Sequence, residues 1–360
     1  MREIEHRGRR AVAIENHELR VTVLLEGGHV AEMALKPTGV KPLWAPPWDS
    51  IEPSRYDPTV HLCYGAGLDA RLLAGIMGHN LCLDLFGDPS SEEAALGLTP
   101  HAESSVSPYE FTMDGKVLVG RATFPLAQLE FERRISLSAS GSVVLFTETV
   151  ENRAAFDRPL AWTQHVTLGP PFLERGVTQF SVPATRSKTY EIDLWGGHGG
   201  MKAGAEFDWP YCPLADGTIG DLRIFTNAPV SGGITAHLLD ENREHAYFVV
   251  YSPGVKVAFG YIWRRTDFPW MTRWEENHCR TQPPWNGRTL ACGLEFGASP
   301  MPESRREMVG RGSLFGVPAY RWLPARSRVR VDYCAFIGTA PGIPHEVVWD
   351  GRETVRLLPS

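Results

Sequence analysis

The sequence is poor in the signatures that announce a chemistry. Its six cysteines, at 63, 82, 212, 279, 292 and 334, include no Cys-x-x-Cys pair and fit no zinc-ribbon spacing. Cysteines scattered through 360 residues read as reduced thiols, most of them buried. The twelve histidines include no HxH pair and no HExxH motif, so spacing predicts no metal site and no cofactor. There is no glycine-rich phosphate loop, no βαβ rhythm and no repeat of fixed period. No run approaches the roughly 20 apolar residues that a membrane helix requires. The N-terminal MREIEHRGRRAVAIENHELR has no apolar signal segment. A cytoplasmic protein without a membrane partner is the expectation. Basic residues are also in deficit, 36 Lys and Arg against 42 Asp and Glu, so no nucleic-acid footprint is expected.

What is present is a long series of alternating segments. AVAIE (11–15), LRVTVLL (19–25) and HVAEMAL (29–35) read as an opening meander. Asp114-Gly115 in YEFTMDGKVLVGRATF marks a hairpin over 109–124. Segments 129–138 and 142–152 flank Ala139-Ser140-Gly141 as a second hairpin. Further strands are expected at 159–168, 177–182, 222–226, 233–239, 245–251, 255–262, 289–296 and 327–337. Helical patterns are few and short, at 69–76, 91–97 and 303–310. With 35 Gly and 28 Pro spread between the strands, the reading is all-β, a large antiparallel β-sandwich with a few short helices. No convincing linker divides the chain, so residues 1–360 are read as a single domain. The loop-rich stretch 183–222 is the place where an insertion would sit.

Three regions stand out for chemistry. In GIMGHNLCLDLFGDPSSEEAALGLTPHAESS, His79 follows a glycine and His101 a proline, in turn-like surroundings that expose polar groups. In LAWTQHVTLGPPFLER, His165 sits near the end of an expected strand. It is either a hydrogen-bonded core residue or a proton donor. In ACGLEFGASP, alternation puts Glu295 on the face opposite Cys292, Leu294 and Phe296. A glutamate there is either an outward-facing strand residue or a functional carboxylate. Eleven tryptophans and ten tyrosines fill sheet cores or supply flat surfaces for a ring-shaped ligand.

The order of these segments resembles that of the aldose 1-epimerase (mutarotase) family, with its galactose-mutarotase-like fold. LTPHAES places His101 at the family's first histidine, WTQHVTLGPPF places His165 at its second, and GLEFGASPMPESR places Glu295 at its late glutamate. The resemblance spans about residues 10–340 in segment order. Three departures stand out. His101-Ala102 replaces the family's His-Gly, and Glu295-Phe296 replaces its Glu-Pro. IMGHNLCLDLFG lacks the sugar-binding Arg that often precedes the first histidine, and His79-Asn80 occupies that place.

The resemblance implies an isomerase interconverting the α and β anomers of a small-molecule sugar substrate. A base takes the C1 hydroxyl proton while an acid protonates the ring oxygen, and no cofactor is needed. On that reading His165 is the acid, Glu295 the base, and His101 an assisting group. His79 and Asn80 would meet sugar hydroxyls, Trp263 and Trp274 would offer an apolar face, and Asp267 would bind a hydroxyl. The residues also admit a non-catalytic carbohydrate-binding protein, or an isomerase or lyase acting at another carbon. A metal centre built from His79, His101, His165 and a carboxylate is a further alternative. The identity of the sugar, its phosphorylation and the oligomeric state are left open.

Overall fold

The computed structural model describes residues 1–139, 141–193 and 200–359. Ser140, expected in a hairpin turn, and six residues of the loop-rich 183–222 stretch lie outside the described residues. Two large antiparallel sheets carry the fold. The first has twelve strands. In spatial order they run Arg2–His6, Arg9–Glu15, Leu19–Leu24, Val30–Leu35, His79–Asp84, Arg158–Leu168, Leu290–Gly297, Trp270–Asn277, Ser231–Leu239, Ala184–Thr189 and Glu206–Asp208. Arg321–Leu323 adds a second pairing to the Arg158–Leu168 strand. The other sheet has eight strands, Gln179–Ser181, His245–Ser252, Val257–Arg264, Arg328–Thr339, Val143–Asn152, Leu129–Leu137, Val117–Phe124 and Glu110–Asp114. The helices are short, Ala70–Leu73, Ser91–Ala95 and Arg305–Arg311. Ser90 and Ser304 cap the last two with capping boxes.

The sheets meet along one apolar interior. Trp162, Val166, Leu168, Leu294 and Phe296 of the first sheet pack with Phe248, Phe259, Tyr261, Trp263 and Tyr333 of the second. Fully burying each such side chain stabilises the fold by about 1.5–3 kcal/mol. Trp263 stacks on Phe296 with ring centroids 4.1 Å apart. A polar knot sits inside this core. Glu148 accepts from Arg133 Nε at 2.7 Å, Trp162 Nε1 at 2.9 Å, Gln164 Nε2 at 2.7 Å and Tyr333 Oη at 2.7 Å. Saturating a buried carboxylate in this way offsets its desolvation.

A covering layer lies on the first sheet's outer face. Arg9 is fully buried and its guanidinium bonds to Gly75 O, Glu26 O and Glu52. That clamp ties the loop carrying Trp44, Trp48 and the Ala70–Leu73 helix to the sheet.

Several expectations need correction. The opening meander is preceded by a polar edge strand, Arg2–His6. Segment 222–226 forms only an isolated bridge, at Ile224. Two central strands, His79–Asp84 and Trp270–Asn277, were not expected as strands at all. Both are buried on both faces, so neither shows the apolar-polar alternation that reveals a half-exposed strand. In Trp270–Asn277 the pattern is inverted. Arg273 and Glu275 point inward as a buried ion pair at 2.8 Å, while Trp274 points outward.

Candidate active site

Four central strands each bring one residue to the same row. Asn80 is the register partner of His165, His165 of Glu295, and Glu295 of Thr272. Side chains alternate along a strand, so all four stand on the sheet's outer face, with Gln164 and Phe296 on the other. His165 is 7% exposed and Glu295 3% exposed.

His165 Nε2 and Glu295 Oε1 are 3.0 Å apart. The contact is close but not aligned, and Oε1 has no hydrogen-bond partner among the described residues. Thr167 Oγ1 lies 3.1 Å from His165 Nδ1, which leaves Nε2 as the nitrogen turned to the carboxylate.

His101 reaches the row from a loop, its ring centroid 4.7 Å from that of His165. Its Nδ1 is 3.2 Å from Asn80 Oδ1. A carboxamide oxygen only accepts, so this partner assigns the proton to Nδ1 and the lone pair to Nε2. Burial, followed by the neighbouring His165, holds the His101 imidazole well below the usual histidine range. Asn80 Oδ1 also accepts from Ser105 Oγ at 3.3 Å, while Asn80 Nδ2 is buried without a partner among the described residues. The row therefore combines an available carboxylate oxygen, an imidazole nitrogen facing it, a second imidazole that accepts, and an amide that donates. Hydroxyl groups, which donate and accept at one atom, complement such an array.

An aromatic wall stands beside it. The Trp274 ring is 6.1 Å from His165 and 6.0 Å from Trp285. Trp285 packs in turn on Trp44 and Trp48, at 6.4 and 5.1 Å. The Arg280 guanidinium lies over Trp285 at 4.6 Å and over Trp274 at 5.6 Å, with Glu276 Oε2 3.4 Å from its Nε. One open groove runs along the Arg2–His6 edge, where Arg20 and Lys41 pair with Glu32.

Three of the expected site residues fall outside this group. His79 occupies a strand, not a turn, and points into the inter-sheet core. Its ring nitrogens lie 2.9 Å from Gln164 Oε1 and 3.0 Å from Tyr261 Oη. Trp263 is fully buried, with Nε1 donating to Phe268 O. Asp267 is 3.6 Å from Arg321, whose guanidinium lies over Trp162 on the core side. Because His79 and His165 project from opposite faces of the sheet, the histidines do not converge on one centre. No group of three or more metal-ligating side chains occurs among the described residues.

No protein-family model matches this sequence, and no curated protein does. Solved structures do. A proposed aldose 1-epimerase from Klebsiella pneumoniae aligns with TM-score 0.63 and 14% identity, over 92% of this chain and 79% of that one. A galactose mutarotase-like protein from Clostridium acetobutylicum aligns with TM-score 0.58 and 14% identity, over 94% and 98%. Another from Lactobacillus casei gives 0.57 and 11%, over 91% and 100%. The fold is galactose-mutarotase-like.

Within this galactose-mutarotase-like sandwich, sequence reasoning missed Thr167, Ser105 and the Trp44–Trp48–Trp285 wall. Thr167 shares the parity of His165, two residues along the same strand, and that spacing was a usable signal. The tryptophan wall carried no local signal, because its members are brought together from segments far apart in sequence.

Proposed function

We propose that this chain is an aldose 1-epimerase-like isomerase that interconverts sugar anomers through an open-chain form. The observation that carries the reading is the row Asn80–His165–Glu295, with His101 packed against His165.

The two oxygens that must exchange protons, the C1 hydroxyl and the ring oxygen, are bonded to the same carbon. An acid and a base side by side can address both, and need not sit on opposite sides of the ring. Glu295 carboxylate removes the C1 hydroxyl proton. Protonated His165 gives the proton on Nε2 to the ring oxygen as the bond from C1 to that oxygen breaks and C1 becomes a carbonyl. Rotation about the bond between C1 and C2 presents the other carbonyl face. The C5 hydroxyl then attacks, returns its proton to His165, and the new C1 oxygen takes back the proton from Glu295. Protons balance over the cycle, and each transfer is general acid–base catalysis, which contributes typically about 10²–10⁴-fold. Thr167 orients the imidazole, and Asn80 and His101 offer a donor and an acceptor to ring hydroxyls. Trp274 supplies an apolar surface for the ring's C–H face.

The test is polarimetry on freshly dissolved α-anomers of several aldoses, with wild type, His165→Ala and Glu295→Ala. Acceleration by wild type and its loss in both variants supports the assignment. A folded wild type that accelerates no sugar overturns it.

A further inference from the structure

We infer that Gly293 is a positioning residue for the Glu295 carboxylate, an inference that rests on Glu295 being the base proposed above. Gly293 precedes Glu295 by two residues in the same strand, so both face the same side of the sheet. A Cβ built at Gly293 would fall 2.3 Å from Glu295 Oε1, 3.1 Å from Cδ and 3.3 Å from Cγ. Real side chains do not approach so closely. The carboxylate occupies the volume that any other residue at 293 would fill.

The backbone does not require glycine there. Gly293 lies in regular antiparallel pairing and is absent from the positive-φ glycines. A glycine inside a strand loses more conformational entropy on folding than alanine would, and contributes no packing. What the position gains is space. Its register partners are Trp274 on one side and Thr167 on the other, both on the same face. The carboxylate therefore lies over the Gly293 backbone, flanked by the tryptophan of the aromatic wall and the threonine that orients His165. One row of the sheet sets both partners, Thr167 by a hydrogen bond to the imidazole and Gly293 by leaving room for the acid.

The atom nearest the absent methyl is the far end of a flexible side chain, with no backbone atom among its three closest neighbours. The cheapest relief on adding a methyl is rotation of Glu295. Gly293→Ala is therefore expected to leave the fold intact and displace the carboxylate from His165. A misplacement of about 1 Å at a reacting group can cost about 10²-fold in rate.

The experiment compares wild type with Gly293→Ala by anomerisation kinetics, thermal unfolding and the NMR resonances of the His165 ring nitrogens. The expected result is a kcat lower by about 10²-fold, KM changed by less than about threefold, an unchanged or raised Tm, and a moved Nε2 resonance. Rescue gives a second readout. Glu295→Asp lowers kcat in the wild-type background, but in the Gly293→Ala background the shorter acid is no worse than glutamate. Unchanged kcat with an unchanged His165 spectrum overturns the inference, as does additivity of the two substitutions. Collapse of the fold in Gly293→Ala also overturns it, because the methyl would then be striking backbone. If wild type anomerises no sugar, the proposed function fails, while the His165 resonances still decide whether Gly293 places the carboxylate.

Discussion

His165 Nε2 and Glu295 Oε1 face each other at 3.0 Å across a register pair of two central antiparallel strands. The carboxylate is almost fully buried and Oε1 makes no hydrogen bond among the described residues, an arrangement that costs stability and is kept where a group must act. Glu295→Gln keeps the shape and removes the charge. Its expected outcome is a kcat lower by about 10²–10⁴-fold together with unfolding free energy equal to or about 1 kcal/mol above wild type. Polarimetry and urea unfolding on the same preparation check it. Loss of activity with a matching loss of stability would instead mark Glu295 as a structural residue.

Glu148 lies directly beneath this row, in the polar knot that joins the two sheets. It is fully buried and holds Arg133, Trp162, Gln164 and Tyr333 at once. Removing one member of a buried pair leaves an uncompensated charge, here that of Arg133, at a cost of about 3–5 kcal/mol. Glu148→Ala is expected to lose that amount by urea unfolding. An Arg133→Met/Glu148→Leu double variant is expected to recover only part of it, since both charges go together but Trp162 Nε1, Gln164 Nε2 and Tyr333 Oη lose the acceptor they share. Equal losses in the single and double variants would show that the lost acceptor, and not the uncompensated charge of Arg133, sets the cost.

Half-exposed strands were legible in the sequence because one face is apolar and the other polar. The Leu129–Leu137 and Val143–Asn152 hairpin and the Arg328–Thr339 strand fall where alternation puts them. Of the four strands that hold the site, those of His165 and Glu295 were legible, while those of Asn80 and Thr272 hid from the same rule. His79–Asp84 and Trp270–Asn277 are covered on both sides and carry polar residues on both faces, His79, Arg273 and Glu275 inward and Asn80 and Thr272 outward. His79 is the plainest case. A glycine before it suggested an exposed turn, yet Gly78 only starts the strand, with a positive φ that lets its backbone approach Val30. The juxtaposition of His101, His165 and Glu295 came from segment order and not from any local pattern. Trp263 and Asp267 lie close before Trp274 in sequence, but Trp263 belongs to the second sheet's Val257–Arg264 strand and packs in the inter-sheet core, while Asp267 sits in the turn that leads to the first sheet.

The buried histidines predict a pH dependence of stability. His29, His79 and His237 are fully buried, and burial, the largest cause, holds each below the ordinary value of 6.5, at about 3 for His29 and His237. As pH falls below about 6.5 the unfolded chain takes up protons at these positions and the folded chain does not. Stability is complete above that pH and is lost as pH drops through it, by up to about 1.4 kcal/mol per unit for each histidine. Asp84 acts in the opposite sense at lower pH, because burial raises its carboxyl against the pull of Arg158 and Arg305. The window to measure is therefore about pH 6.5 to 5, above the carboxylate range. Urea unfolding across it is expected to show falling stability, with a smaller slope in His237→Gln. A flat profile would mean that these imidazoles become charged inside the fold.

Ala102, next to His101, holds a backbone that suits glycine. Its φ of 59° and ψ of −158° lie in a region that is nearly glycine-only and costs about 1–3 kcal/mol for other residues. His101 itself has a φ of 65°, so two consecutive residues at the site are left-handed. Ala102 is 1% exposed, and the loop delivering the His101 ring to His165 depends on this turn. Ala102→Gly removes the strain but also a buried methyl, worth about 0.8 kcal/mol, and adds about 0.5–1 kcal/mol of unfolded-state entropy. The first term is the larger over most of its range, so a gain of up to about 1 kcal/mol is expected, with anomerisation unchanged. Ala102→Val is expected to lose more than about 3 kcal/mol, since a β-branched side chain can neither take that backbone conformation nor fit the closed space. Thermal unfolding of the two variants checks both signs. If glycine destabilises as valine does, the methyl's packing and not the backbone sets the conformation of this turn.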